Sequence, residues 1–216
     1  MIKKIFLASI IFMVFFRFSF AEDSLKIKPK VITPKETRNN WSFNFIYTDK
    51  GFGLGANLYK RVTTDMDLVG GIMVTGLKDP NENEQFDIYG NSYIFGKENR
   101  VFTIPVSIGL QNYLFSNTLD ESFKPFISVG VTPTLVLSNP YDKNFFKALG
   151  YLNSAFALGG YAGIGLEYRE SMSTSFCVNL RYSYVPVLIN EVRSLKDRTI
   201  TDVGGVTIMI GVNFLK

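Results

Sequence analysis

The residues able to do chemistry are few, and their types narrow the field at once. The 216-residue chain has no histidine and a single cysteine. Ser-His-Asp triads, histidine-ligated zinc sites and intrachain disulfides are therefore excluded. No P-loop, G-x-S-x-G nucleophile turn, G-x-G-x-x-G fingerprint or Cys-rich metal motif occurs either. What remains is one pair of opposite charges, Glu167 and Arg181, one thiol, Cys177, and the carboxylates Asp79, Glu82, Glu84, Asp87 and Glu98 among Lys78, Lys97 and Arg100. None of these sets specifies an enzyme or a cofactor site. The carboxylates match no EF-hand-like ligand spacing and read as a solvated, weakly acidic loop.

The elements that must position these residues follow from composition and period. Hydrophobic residues make up 46% of the chain and charged ones only 19%, with 18 glycines, 20 phenylalanines and 11 tyrosines. That balance excludes a disordered chain or a coiled coil. From Asn40 onward the hydrophobic period is two, the signature of strands. Trp41, Phe43, Phe45 and Tyr47 alternate with Ser42, Asn44, Ile46 and Thr48. Phe52, Leu54, Ala56 and Leu58 follow, then an apolar, glycine-rich third segment over residues 66–77 whose inward face the sequence leaves ambiguous. Five further alternating segments run from Phe102, Ile127, Phe156, Phe176 and Val206. Most are about ten or more residues long, enough for a tilted strand to cross a bilayer.

Alternation leaves open which face is outside. A soluble lipocalin-like barrel binding a hydrophobic ligand also alternates, with its apolar stripe inward. The second stripe decides, because a water-facing one should be rich in Lys and Glu. Here it carries Gly, Ser, Thr and Asn, with charge confined to positions such as Glu167 and Arg181. Small polar residues suit the interior of a narrow barrel, and the uncharged stripe then faces lipid. The expected fold is all-β: an eight-stranded antiparallel up-and-down transmembrane β-barrel over residues 40–216, with a plugged interior. In it Glu167 and Arg181 lie on inward parities of adjacent strands. They read as a structural ion pair inside a filled lumen, the sharper alternative being a gate or ion path. Cys177 reads as a small buried hydrophobe.

The links support the barrel. Short ones near Thr63-Thr64-Asp65, over residues 116–122 and near Glu170-Ser171 alternate with long ones over residues 78–100, 138–154 and 187–199, as periplasmic turns alternate with extracellular loops. The tight turn at Asp49-Lys50-Gly51 departs from that pattern. Trp41, Tyr47, Tyr113, Phe115, Tyr168 and Tyr184 are expected in the interfacial girdles. Phe86, Ile88, Tyr89, Tyr93 and Phe95 form an aromatic stretch that reads either as a hairpin around Gly90-Asn91 extending the barrel or as a contact surface. Phe145 and Phe146 stand similarly in the next long loop.

The first residues read as a leader. Lys3 and Lys4 precede an apolar run over residues 5–16, and Ser19-Phe20-Ala21 precedes Glu22. Residues 1–21 are expected to be a cleaved signal peptide, since twelve helical residues rise only about 18 Å and fall short of a membrane span. Cleavage takes three of the 23 cations and no anion, leaving 20 basic against 19 acidic residues. A nucleic-acid partner then loses its electrostatic footing. Residues 22–39 read as a flexible polar segment.

The stretch Ile104-Pro105-Val106-Ser107-Ile108-Gly109-Leu110, then Tyr113-Leu114-Phe115 and Lys124-Pro125-Phe126-Ile127-Ser128-Val129-Gly130, resembles the small outer-membrane β-barrel superfamily of OmpA/OmpX type. So do Gly163-Ile164-Gly165-Leu166-Glu167-Tyr168, Arg181-Tyr182 and the closing Gly211-Val212-Asn213-Phe214. The resemblance implies export to a Gram-negative outer membrane, contact with its lipid and lipopolysaccharide, and a C-terminal aromatic, here Phe214, read by the barrel-insertion machinery. Leu215 and Lys216 follow that aromatic, and no peptidoglycan-binding domain is expected after the barrel. Outer-membrane barrels that modify lipid A, and the omptin proteases, use a histidine that this chain lacks. The expectation is a non-enzymatic envelope protein without cofactor, with a structural or surface-contact role. The second reading is an accessory barrel docking on an envelope or secretion complex as its protein partner. Bridging of cations to lipopolysaccharide by the carboxylates of residues 78–100 is a further alternative.

Overall fold

The computed structural model describes residues 39–90, 92–115, 122–143, 145–171 and 173–215. The leader over residues 1–21 and the polar segment, up to its last residue, lie outside the described residues. Asn39 already opens the first strand.

The period-two segments form eight long strands: β1 (Asn39–Thr48), β2 (Gly51–Arg61), β3 (Met66–Leu77), β6 (Asn99–Tyr113), β7 (Phe123–Pro140), β8 (Asn153–Arg169), β9 (Thr174–Tyr184) and β11 (Gly205–Phe214). Short elements sit in the long links: β4 (Glu84–Phe86) and β5 (Ser92–Ile94), a helical turn α1 (Phe145–Ala148) continued by a 3-10 turn (Leu149–Tyr151), and β10 (Val187–Ile189). Each long strand pairs antiparallel with its sequence neighbours, and β11 returns to β1 through Trp41↔Phe214 to Thr48↔Thr207. The ladder is closed, so it has no free edge. Among the described residues no helix is long and apolar enough to cross a membrane.

The register puts the apolar stripe outside. Phe43, Phe45, Leu54, Ile72, Ile108, Val129, Ile164, Val178 and Ile210 are exposed, while Ser42, Asn44, Asn57, Ser107, Gln111, Ser128, Asn179 and Asn213 are buried. This overturns the lipocalin-like alternative, which requires the reverse. The third strand is no longer ambiguous: Asp67, Val69, Met73, Thr75 and Leu77 face inward, and Leu68, Ile72 and Val74 outward.

Three strands run further toward the long-loop end than the sequence suggests. The β7–β8 ladder continues to Ser138↔Asn153, leaving residues 141–152 as the link. The extension has a core of its own. Leu77, Val101, Val136, Ala155 and Ala157 line the barrel there and pack with Val185, Val192 and Ile200, which the last long link folds inward. β10 pairs with β8 to fix that fold. The β4–β5 hairpin, by contrast, is a separate two-stranded sheet turning at Gly90 (φ +81°). It does not extend the barrel ladder.

Candidate functional site: the lumen and the outer loops

Inward parity places every interior polar residue, and three groups stack along the lumen. At the short-turn end the buried Glu167 carboxylate accepts hydrogen bonds from Tyr113 Oη (2.7 Å) and Ser175 Oγ (2.6 Å). The Tyr113 ring meets Phe126 edge-on at 6.1 Å and lies under the Arg61 guanidinium and the Lys124 ammonium. Arg61 pairs with the buried Asp67. Tyr113 is thus an interior residue rather than a girdle aromatic, because its odd position on β6 shares the face of Gln111 and Gly109. The other girdle candidates, Trp41, Tyr47, Phe115, Tyr168 and Tyr184, are exposed. Cys177 is buried in this same cluster with Tyr113 and Phe126.

Mid-lumen, Asn44 Nδ2 donates to Ser42 Oγ at 3.0 Å and Asn57 Nδ2 to Tyr59 Oη at 3.3 Å. Above them Arg181 is 4% exposed, with its guanidinium carbon 4.5 Å from the centre of the Tyr161 ring. The expected Glu167–Arg181 ion pair does not form. Arg181 lies opposite Gly163, while Glu167 lies opposite Cys177, four residues further along each strand. Glu167 spends its acceptors on Tyr113 and Ser175 instead. Arg181 Nε and Nη1 are buried without a hydrogen-bond partner. Arg181 is one of the residues around a cavity of about 60 Å³, with Thr103, Thr132, Thr134, Ser183 and Thr207, next to the apolar cluster of the long-loop end.

Glycines make room for these large groups. A Cβ at Gly109 would sit 2.4 Å from Tyr161 Oη, one at Gly163 2.7 Å from Arg181 Cγ, and one at Gly165 2.3 Å from Phe126 Cζ. Alternation of small and large inward residues is how a narrow barrel fills its taper.

On the outer side, the loop over residues 78–98 is not simply solvated. Glu82 pairs with Lys97 at 2.6 Å, both side chains nearly buried, and accepts from Ser194 Oγ. Burial pushes the Glu82 carboxyl up, but the hydrogen bonds of Lys97, Ser194 and the Asp79 N–H, with the Lys97 charge, outweigh it and hold it below the ordinary range. Backbone bonds from Glu98 N and Asn99 N to Ser194 O, and from Lys196 N to Gly96 O, tie the first and last long loops together. Asp79 is buried and faces Arg198 at 3.7 Å. Above this base the hairpin presents Phe86, Ile88, Tyr89, Tyr93 and Phe95 to solvent, Ile88 at 92% exposure. Phe146 is exposed in α1, and the side chain of Phe145 lies outside what the structure describes. Phe214 sits at the short-turn end against Trp41.

Sequence reasoning missed Tyr161, the Arg61–Asp67 pair and the Glu82–Lys97–Ser194 knot. Parity was enough to find the first, and Asp67 shares a parity with Thr75 and Leu77. The knot joins residues 112 apart in the chain and leaves no local signal.

No family model matches the sequence, and no curated protein matches it as a relative. Solved structures do match the fold. The N-terminal β-barrel domain of Pseudomonas aeruginosa OprF is 12% identical, with 83% of this chain and 98% of that one covered and a TM-score of 0.52. A major outer membrane protein from Thermus thermophilus is 11% identical, covering 83% of this chain and 99% of that one at a TM-score of 0.54. The closed eight-strand ladder, the apolar exterior and these similarities give the chain the fold of the small outer-membrane β-barrels.

Proposed function

We propose that the protein is a non-enzymatic outer-membrane barrel whose work is contact at the cell surface. The observation that carries this reading is the β4–β5 hairpin, which holds five large apolar side chains in solvent on a base locked by the Glu82–Lys97 pair. Exposed apolar groups clustered on a rigid support are the usual mark of an interaction surface. The chain has no histidine for the hydrolytic or acyl-transfer chemistry known on related folds. Its lipid-facing belt takes outer-membrane lipid and lipopolysaccharide as neighbours, Phe214 serves the insertion machinery, and the hairpin meets a protein partner. The interior, crossed by the Glu167 cluster and capped by the apolar loop core, is plugged against diffusion.

A photo-crosslinking residue at Tyr89 in intact cells tests this. A discrete crosslinked protein is expected, and it should vanish when residues 86–95 are replaced by a Gly-Ser chain while the heat-dependent gel shift of the barrel persists. Absence of any crosslink, or the same crosslink in the replaced chain, would refute the surface-contact role. Wide, steady conductance in a planar bilayer would refute the plug.

A further inference from the structure

We propose that the upper lumen is a binding site for one small inorganic anion, held by Arg181. Arg181 is almost wholly buried and is not ion-paired with any carboxylate among the described residues. Among the described residues its guanidinium meets the face of Tyr161. A guanidinium cannot shed its proton to escape burial, and an isolated charge in a low-dielectric interior is costly unless a counter-charge meets it. The cation–π contact offsets a part of that cost but leaves the N–H groups unserved. Nε and Nη1 are both buried with no acceptor.

Arg181 stands on the polar side of the cavity, opposite an apolar side formed by Ile46, Met73, Leu77, Val203 and Met209. Thr132 Oγ1 also lacks a partner and Thr207 lines the same space, whereas Thr103 Oγ1 is bonded to Thr75 Oγ1 and Ser183 Oγ donates to Gly205 O. The Thr132 and Thr207 hydroxyls can turn their protons toward an anion. Among the lining residues the carboxylate is that of Asp49, exposed beside Lys50, while the Asp202 carboxylate behind the wall accepts from Val185 N and Gly204 N. Lys50 Nζ is spent on the carbonyls of Asp202 and Gly204, so it adds positive potential at the entrance and pins the last long link there. Glu167 faces the lumen further down and is already bonded to Tyr113 and Ser175.

Size sets the class of guest. A water needs about 10–15 Å³ of such space, so about 60 Å³ admits a few waters or one anion between chloride and phosphate in size. Sugars, nucleotides and lipid headgroups with their glycerol are too large. Conduction is not required: the anion completes the interior as a structural counter-ion.

The test uses the full chain refolded in detergent, with gluconate, too large for the cavity, as the only other anion. Inorganic phosphate and chloride are titrated separately by calorimetry, and the temperature of the gel shift is read at each concentration. One-to-one saturable binding of either anion is expected, with a rise in that temperature. Arg181→Gln should weaken binding at least about tenfold, and Thr132→Val several-fold, since a charge-assisted bond outweighs a neutral one. Arg181→Lys should retain binding, and together with Thr132→Val it decides the matter where Arg181→Gln fails to give a heat-shifting barrel. Wild-type protein that binds neither anion saturably, with water alone filling the cavity, would overturn the proposal. So would undiminished binding in Arg181→Gln or Thr132→Val.

Discussion

The rings of Trp41 and Phe214 stack with centroids 4.4 Å apart and planes 20° from parallel, on directly facing positions of the first and last barrel strands. This pair closes the seam where chain connectivity gives no help, since β1 and β11 are held together only by their ladder and side chains. Such aromatic pairs add about 0.5–1.5 kcal/mol beyond the area they bury. Trp41→Ala should therefore lower the temperature of the gel shift without changing assembly in cells. Phe214→Ala should lower both, because it also removes the proposed insertion signal. Equal assembly yields for the two variants would remove that signal from the account.

The lipid-facing belt makes a second, sharper prediction. Ile210 is more than half exposed and sits between Phe45 and Val178 in mid-ladder. A cation near the bilayer mid-plane costs about 2–4 kcal/mol. Ile210→Arg should lose about that much in urea unfolding from liposomes, while Thr207→Ser, on the inward face of the same strand, should be near neutral. A tolerated arginine would mean that the belt is not in lipid.

Glu82 supplies a pH dependence. Its folded pKa lies below the unfolded value near 4.5, so the contact stabilises the loop base above that value and is lost as pH falls through the folded one. The amides of Glu98 and Lys196, bonded to Ser194 O and Gly96 O, should exchange faster as the pH is lowered below 4.5, after correction for intrinsic rates. Glu82→Gln should show the faster rate at neutral pH, by about tenfold, as losing one charge-assisted hydrogen bond implies. An acid-insensitive exchange rate in the wild type would show that the backbone ladder alone holds the loops.

At the other end of the lumen Glu167 depends on its donors. Tyr113→Phe removes the 2.7 Å bond and leaves the buried carboxylate with the bond from Ser175. Leaving a buried acceptor short of a donor costs about 1–3 kcal/mol, more when it is charged. Urea unfolding should register that loss at neutral pH. Glu167→Gln in the Tyr113→Phe background should recover a part of it, since the neutral amide needs less solvation.

The barrel is legible because period two is a global constraint: one slipped residue would turn every side chain of a strand to the wrong face. That is why the inward positions of Glu167, Arg181 and Cys177 can be read correctly from parity alone. Parity says nothing about height along the barrel, and four residues of offset separate Glu167 from the level of Arg181. Tyr113 misleads for a related reason, because it stands near a strand end, as girdle residues do, yet shares its face with Gln111. The third strand is apolar on both faces, so period carries no information there. The inward-folded link containing Val185, Val192 and Ile200 has no period at all, and its place is fixed only by the apolar pocket that the extended strands create.

Matched glycines separate space from backbone effects. Gly165 faces inward under Phe126, where a Cβ would lie 2.3 Å from a ring carbon and 2.7 Å from the Val178 carbonyl oxygen. Gly70 faces outward on β3 with nothing within 4 Å of its would-be Cβ. Both lie in regular strands, and replacing either by alanine reduces the freedom of the unfolded chain by the same amount. Gly70→Ala should thus be neutral or stabilise by about 0.5–1 kcal/mol. Gly165→Ala must push the Phe126 ring, and with it Tyr113, out of a packed cluster, at a cost of about 1–3 kcal/mol. Unfolding midpoints of the two variants should move in opposite directions. Movement together would mean that the ring has room to yield and that the interior is looser than its burial implies.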